Sequence, residues 1–122
     1  MPKILIVEDD PFLAEMYLTK LSQEKFEVEL ATDGKEALKK AEVVMPDVML
    51  LDIVLPKMDG FEVIEKMKKN PALRNIKIVA LTNLGQKEEV ERGLELGVAD
   101  YIVKAHFTPT EVINKVRQIL KK

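Results

Sequence analysis

An α/β fold is predicted: one doubly wound (βα)5 unit built on a five-stranded parallel sheet. Three observations predict it. Strand-like and helix-like patterns alternate five times across the 122 residues. The first, third and fourth strand-like runs are continuously apolar, as expected of strands covered on both faces of a sheet. Charged or hydroxyl residues recur where the apolar runs end: Glu8-Asp9-Asp10, Asp52, Thr82 and Lys104. In open parallel sheets, the carboxyl ends of the strands are where ligands sit.

Each element has its own local reason. Lys3 to Val7 forms the first strand. A helix follows from Pro11 to about Lys25, with Asp10 as its cap and Pro11 suited to its first turn. Phe12, Leu13, Met16, Tyr17 and Leu21 are expected on its inner side. Val28 to Ala31 is a short second strand. Asp33-Gly34-Lys35-Glu36 then offers an acidic cap with Glu three residues on, ahead of Ala37, Leu38 and Ala41, and Pro46 stops that helix. Val48 to Leu51 is the third strand. A loop containing Pro56 and Gly60 leads to a helix with Phe61, Ile64 and Met67 inward, ending near Asn70-Pro71. Lys77 to Leu81 is the fourth strand. The helix from Glu88 to Leu96 ends at Gly97. Its inward set, Val90, Leu94 and Leu96, is small, so it is expected to be the least firmly held. Tyr101 to Val103 is the fifth strand. Thr108-Pro109-Thr110-Glu111 combines cap, first-turn proline and reciprocal Glu. Val112, Ile113, Val116, Ile119 and Leu120 then recur at helical spacing. This order implies right-handed crossovers with helices on both faces. The sequence shows no internal repeat, low-complexity segment or linker, so one domain over residues 1–122 is expected.

Composition narrows the function. Hydrophobic residues make up 47% and charged residues 33%, a balance that supports an ordered, soluble globular domain. A net charge of −2 leaves no sequence-wide basic field, so direct nucleic-acid binding is not expected. Lys68, Lys69, Lys115, Arg117, Lys121 and Lys122 read as solvated helix faces. With no cysteine, disulfides and thiolate zinc sites are excluded. No basic leader precedes an apolar stretch, and no apolar run approaches the roughly 20 residues of a membrane span. A cytoplasmic location without membrane insertion is expected.

If the apolar runs are neighbours in one sheet, their terminal polar groups converge. Glu8, Asp9 and Asp52 would then repel one another, which raises carboxylate pKa values or calls for a cation. Oxygen-only donors without nearby His or Cys favour magnesium. A carboxylate can attack a phosphoryl group to form an acyl phosphate. That transfer depends on in-line positioning and on neutralising the phosphoryl oxygens, for which magnesium, the Lys104 ammonium and the Thr82 hydroxyl are suited. Taken singly, each residue has a plainer role: a strand-end Asp is commonly a cap or turn residue, and Asp10 fits that role before Pro11. The joint occurrence at several strand ends carries the inference.

The motifs I-L-I-V-E-D-D, L-D-I-V-L-P-K-M-D-G, I-V-A-L-T and D-Y-I-V-K, spread over essentially the whole chain, are similar to those of receiver domains of two-component response regulators, the family of the bacterial chemotaxis regulator. The resemblance implies a flavodoxin-like sheet of order 2-1-3-4-5 and a stand-alone phosphorylation switch. Asp52 resembles the phospho-accepting aspartate. Asp9 resembles the direct magnesium ligand, Glu8 its neighbour acting mainly through water, and the main-chain carbonyl of Val54 the third protein ligand. Thr82 resembles the switch hydroxyl, Tyr101 the switch aromatic, and Lys104 the lysine that pairs with the phosphoryl oxygens. Pro56 and Gly60 shape the loop after Asp52. A sensor histidine kinase or phosphotransfer protein would donate the phosphoryl group. The helix after Thr82, the Tyr101 strand and the last helix would form a surface for a downstream protein or a second copy of the chain. Such a module catalyses only its own phosphotransfer and dephosphorylation.

Two departures from the family pattern bear on behaviour. Ala105 follows Lys104 where the family usually has a cis proline, so either a strained cis bond is held there or the loop runs trans. His106, the only histidine, reads as an exposed loop residue beside Phe107. Val54 and Leu84, which in the family flank the path of the hydrolytic water, are both apolar. Slow self-dephosphorylation is therefore expected, readable from the time course of phosphate loss. Two other functions compete. A haloacid-dehalogenase-type phosphatase wants a second Asp where Val54 stands, and a flavin carrier wants a hydroxyl- and glycine-rich loop where Glu8-Asp9-Asp10 would repel phosphate.

Overall fold

In the computed structural model, residues 2–82, 87–104 and 108–121 are described. Five strands alternate with five helices: β1 (Lys3–Val7), α1 (Pro11–Gln23), β2 (Glu27–Ala31), α2 (Gly34–Val44), β3 (Val48–Asp52), α3 (Gly60–Lys69), β4 (Lys77–Thr82), α4 (Lys87–Glu95), β5 (Asp100–Val103) and α5 (Pro109–Leu120). All strand pairs are parallel and the order is β2-β1-β3-β4-β5. Both the predicted class and the order implied by the family resemblance hold. Leu84, Ala105, His106 and Phe107, together with the geometry of the Lys104–Ala105 bond, lie outside the described residues.

The sheet separates two apolar layers. One joins Leu5, Met49, Leu51, Ile78 and Ala80 to Ala37 and Ala41 of α2 and to Phe61, Ile64 and Met67 of α3. The other joins Ile4, Ile6, Leu50, Leu81 and Ile102 to Tyr17 and Leu21 of α1 and to Val112, Ile113, Val116 and Ile119 of α5. Alternate residues of β1, β3 and β4 serve opposite layers, which is why these runs are continuously apolar. β2, at the sheet edge, shows the alternating burial of a half-covered strand.

The expected helix signals are present. Asp10 accepts hydrogen bonds from the Phe12 and Leu13 amides, and Asp33 accepts from the Glu36 amide; Asp59, a cap not anticipated from the sequence, accepts from the Glu62 amide. Thr108 and Glu111 form a reciprocal capping box. Met45 takes a left-handed conformation just before Pro46, and Gly97 does so after α4 (φ 93°). Gly60 opens α3 as a helical residue, not a loop residue.

Two expected inward residues are corrected. Phe12 is 88% exposed, because the line Ala14, Tyr17, Leu21 defines the face of α1 against the sheet, and Phe12 lies off it. Leu94 is 53% exposed, because α4 presents its backbone at Gly93 to β5 and turns Leu94 outward.

Candidate functional site

The site lies at the carboxyl ends of β1, β3 and β5. Alternation places Glu8 with Ile4 and Ile6, Asp52 with Leu50, and Lys104 with Ile102, all on the layer of α1 and α5. The three side chains therefore meet on one side of the sheet. Glu8 is 1% exposed and Asp52 is 6% exposed. The Lys104 ammonium lies between them, donating to Glu8 Oε1 at 2.5 Å and to Asp52 Oδ2 at 2.8 Å. The second oxygen of each carboxylate accepts a backbone N–H. Glu8 Oε2 accepts from Asp10 at 3.2 Å, and Asp52 Oδ1 accepts from Val54 at 3.1 Å. Both carboxylates are thus aimed by the turns that follow their own strands.

The charge balance is uneven. Burial, opposed by the Lys104 hydrogen bond and reinforced by Asp52, pushes the Glu8 carboxyl up to about 7. Burial alone would pull the Lys104 ammonium down, but the hydrogen bonds and charges of Asp52 and Glu8 outweigh it and hold it above its ordinary value. Burial also pushes up the hydroxyl of Tyr17, on α1 beneath the site. Asp9 adds a third, exposed carboxylate. One oxygen from each of Glu8, Asp9 and Asp52 lies within 4.8 Å of the others, an arrangement able to hold a metal ion. One ammonium therefore faces three carboxylates, all with hard oxygen donors.

Thr82 and Tyr101 lie on the other layer. Thr82 is buried at the end of β4, and β4–β5 pairing sets Ala80 opposite Tyr101. The Tyr101 hydroxyl is buried and has no hydrogen-bond partner among the described residues. Burial raises its pKa, and the Glu89 carboxylate of α4 raises it further, while the nearby Thr82 hydroxyl acts in the opposite sense. Val54, 68% exposed, stands at the rim.

Glu8, Asp9, Asp52 and Lys104 gather as an acidic–ammonium cluster at the strand ends, while Thr82 ends β4 on the other layer, with Tyr101 on that same layer within β5 and Val54 just past β3. Sequence reasoning missed the direct Glu8–Lys104 ion pair; the family resemblance gave Glu8 a role beside the magnesium, acting mainly through water. The signal available was Glu8 itself, continuing the buried alternation of Ile4 and Ile6 by one more step. It also missed Gly34, where an added Cβ would lie 2.3 Å from the Met58 carbonyl oxygen. The turn after Asp52 therefore packs directly on the start of α2, and the Lys57–Asp33 ion pair at 3.5 Å ties the same two segments.

Comparison with known proteins agrees with this fold. The family model described as response regulator receiver domain matches residues 4–117. The chain is 34% identical over 122 residues to the DNA-binding dual master transcriptional regulator RpaA of Synechocystis sp., covering all of this chain and 50% of that protein. The chain spans about half the length of the first curated relatives it matches. The non-phosphorylated HemR receiver domain from Leptospira biflexa superposes with a TM-score of 0.91 at 32% identity, over 100% of this chain and 96% of that one. The chemotaxis response regulator CheY4 of Vibrio cholerae superposes with a TM-score of 0.90 at 30% identity, over 98% of each chain.

Proposed function

We propose, from the premise that this chain belongs to the response regulator receiver domain family, that Asp52 accepts a phosphoryl group and that Thr82, Tyr101 and Lys104 convert its charge into a change of surface. The observation that carries this reading is the placement of Asp52: buried, at the end of the central strand β3, with one oxygen on the Lys104 ammonium and the other on the Val54 amide. In the transfer, an Asp52 oxygen bonds to phosphorus as the P–N bond of a phosphohistidine donor breaks and its electron pair returns to the imidazole. The oxygen gains a partner without moving far, since both carboxylate oxygens are already oriented. Lys104, already at bonding distance from Asp52, meets the new negative charge.

The donor set suits magnesium: Asp9, Asp52 and Glu8, with the Val54 carbonyl, would hold it. When bound, the ion would neutralise phosphoryl oxygens that Lys104 alone cannot balance. On the other layer, the Thr82 hydroxyl supplies a donor to the phosphoryl group at the next strand end. Tyr101 follows it, and α4, β5 and α5 present the altered face to a downstream protein or a second copy of the chain. The module works in the cytoplasm, with a sensor histidine kinase or phosphotransfer protein as donor. Among the described residues, no helix is long and apolar enough to cross a membrane. Turnover is confined to its own phosphoryl group.

The test is incubation with magnesium and acetyl phosphate, comparing wild type with Asp52→Ala by intact mass. A gain of one phosphoryl group in wild type alone is expected. Equal labelling of the two proteins would refute Asp52 as acceptor.

A further inference from the structure

Gly93 is a poor choice for the interior of α4 on propensity alone, since glycine is among the weakest helix formers. It is nevertheless the buried residue of that helix. A methyl group on its Cα would lie 2.7 Å from Cδ2 and 2.8 Å from Cε2 of Tyr101, with Val98 Cγ2 at 3.7 Å. Unstrained carbon contacts fall at about 3.5–4.0 Å. The Tyr101 ring thus rests on bare α4 backbone, in space that any other side chain would occupy. The preceding residue touches α3 from this turn of α4: the Arg92 guanidinium lies 4.4 Å from the Phe61 ring centroid and 3.3 Å from Glu65 Oε1. A clash at position 93 must therefore be relieved by turning the ring or by shifting the helix against this contact, and either changes how the ring stands on α4.

We propose that Gly93 is a positioning residue for Tyr101: the missing side chain keeps open the space in which the ring stands beside Thr82, and so sets how Tyr101 divides between its orientations before and after phosphorylation. The proposal rests on the reading of Thr82 and Tyr101 as the pair that reports the charge on Asp52.

Fluorine NMR of the full chain labelled with 3-fluorotyrosine tests it. There are two tyrosines, and Tyr17→Phe assigns the signals. In wild type, magnesium with acetyl phosphate is expected to move the Tyr101 resonance. In Gly93→Ala, the resonance should be displaced before any phosphodonor is added and its further movement lost, while Asp52 still gains its phosphoryl group by mass. A Tyr101 resonance at the wild-type position in both states of Gly93→Ala would overturn the proposal. Alanine is the better helix former, so a helix defect is not the expected cause of any loss. Should Gly93→Ala alone fold poorly, the same substitution in a Tyr101→Ala background decides. Recovery of the melting temperature of Tyr101→Ala supports a ring clash, and an equal loss with and without the ring refutes it. A wild-type Tyr101 resonance indifferent to a phosphorylated Asp52 would instead defeat the switch reading beneath the proposal, a failure visible without the Gly93 variant.

Discussion

Glu8 sits where its charge is costly: burial and the neighbouring Asp52 push its carboxyl from 4.5 up to about 7, against the pull of Lys104. A carboxyl whose folded pKa lies above its unfolded value contributes stability in full below the unfolded pKa and loses it as pH rises through the folded one. Without divalent metal, stability to denaturant should therefore fall between pH 4.5 and about 7, and Glu8→Gln should flatten that fall. Lys104 contributes in the opposite range. Its raised pKa leaves its contribution intact through neutral pH, to be lost only in strong alkali. Denaturation midpoints across that window, with a chelator present, provide the check. An identical slope in wild type and Glu8→Gln would remove Glu8 as the cause. At this scale the sequence showed the residue types at the strand ends. It did not show that Glu8 is buried and paired to Lys104, because one acidic residue after a strand looks the same whether it caps, solvates or pairs.

Among the elements, α4 and α5 stand at opposite ends of firmness. α5 buries Val112, Ile113, Val116 and Ile119 and closes its first turn with a capping box. α4 buries Gly93, leaves Leu94 outward, and leans on α3 through Arg92 at its surface. Backbone amides of α4 should exchange with solvent at least on the order of tenfold faster than those of α5, since local opening is governed by buried apolar contact. Hydrogen–deuterium exchange measures this, and equal protection of the two helices would contradict it. Helix starts and stops were legible in the sequence because capping is local: Asp10, Asp33 and Thr108 bond to amides within a turn of themselves. Which face of a helix points inward was less legible. Phe12 and Leu94 fit an apolar pattern, but the sheet lies elsewhere.

For the whole molecule, the acidic cluster links β1 to β3 in the middle of the sheet, so a cation held there stabilises the entire fold. At magnesium about 100-fold above its dissociation constant, the gain should be about 2.7 kcal/mol. Thermal melts with and without magnesium should show it in wild type and lose it in Asp9→Ala, whose carboxylate is exposed and carries no packing. The same rise in both proteins would place the ion elsewhere. The alternation of patterns, the parallel sheet, the caps and the family resemblance with its candidate residues were all determined by the sequence alone, since each rests on local periodicity or on motifs read in order. Only the tertiary structure decided that Lys104 bonds Glu8 and Asp52 together, across 96 and 52 positions of chain, and that Tyr101 lies on Gly93. The reason is physical. Periodicity encodes whether a side chain is buried, whereas strand order and register choose which buried side chain it meets.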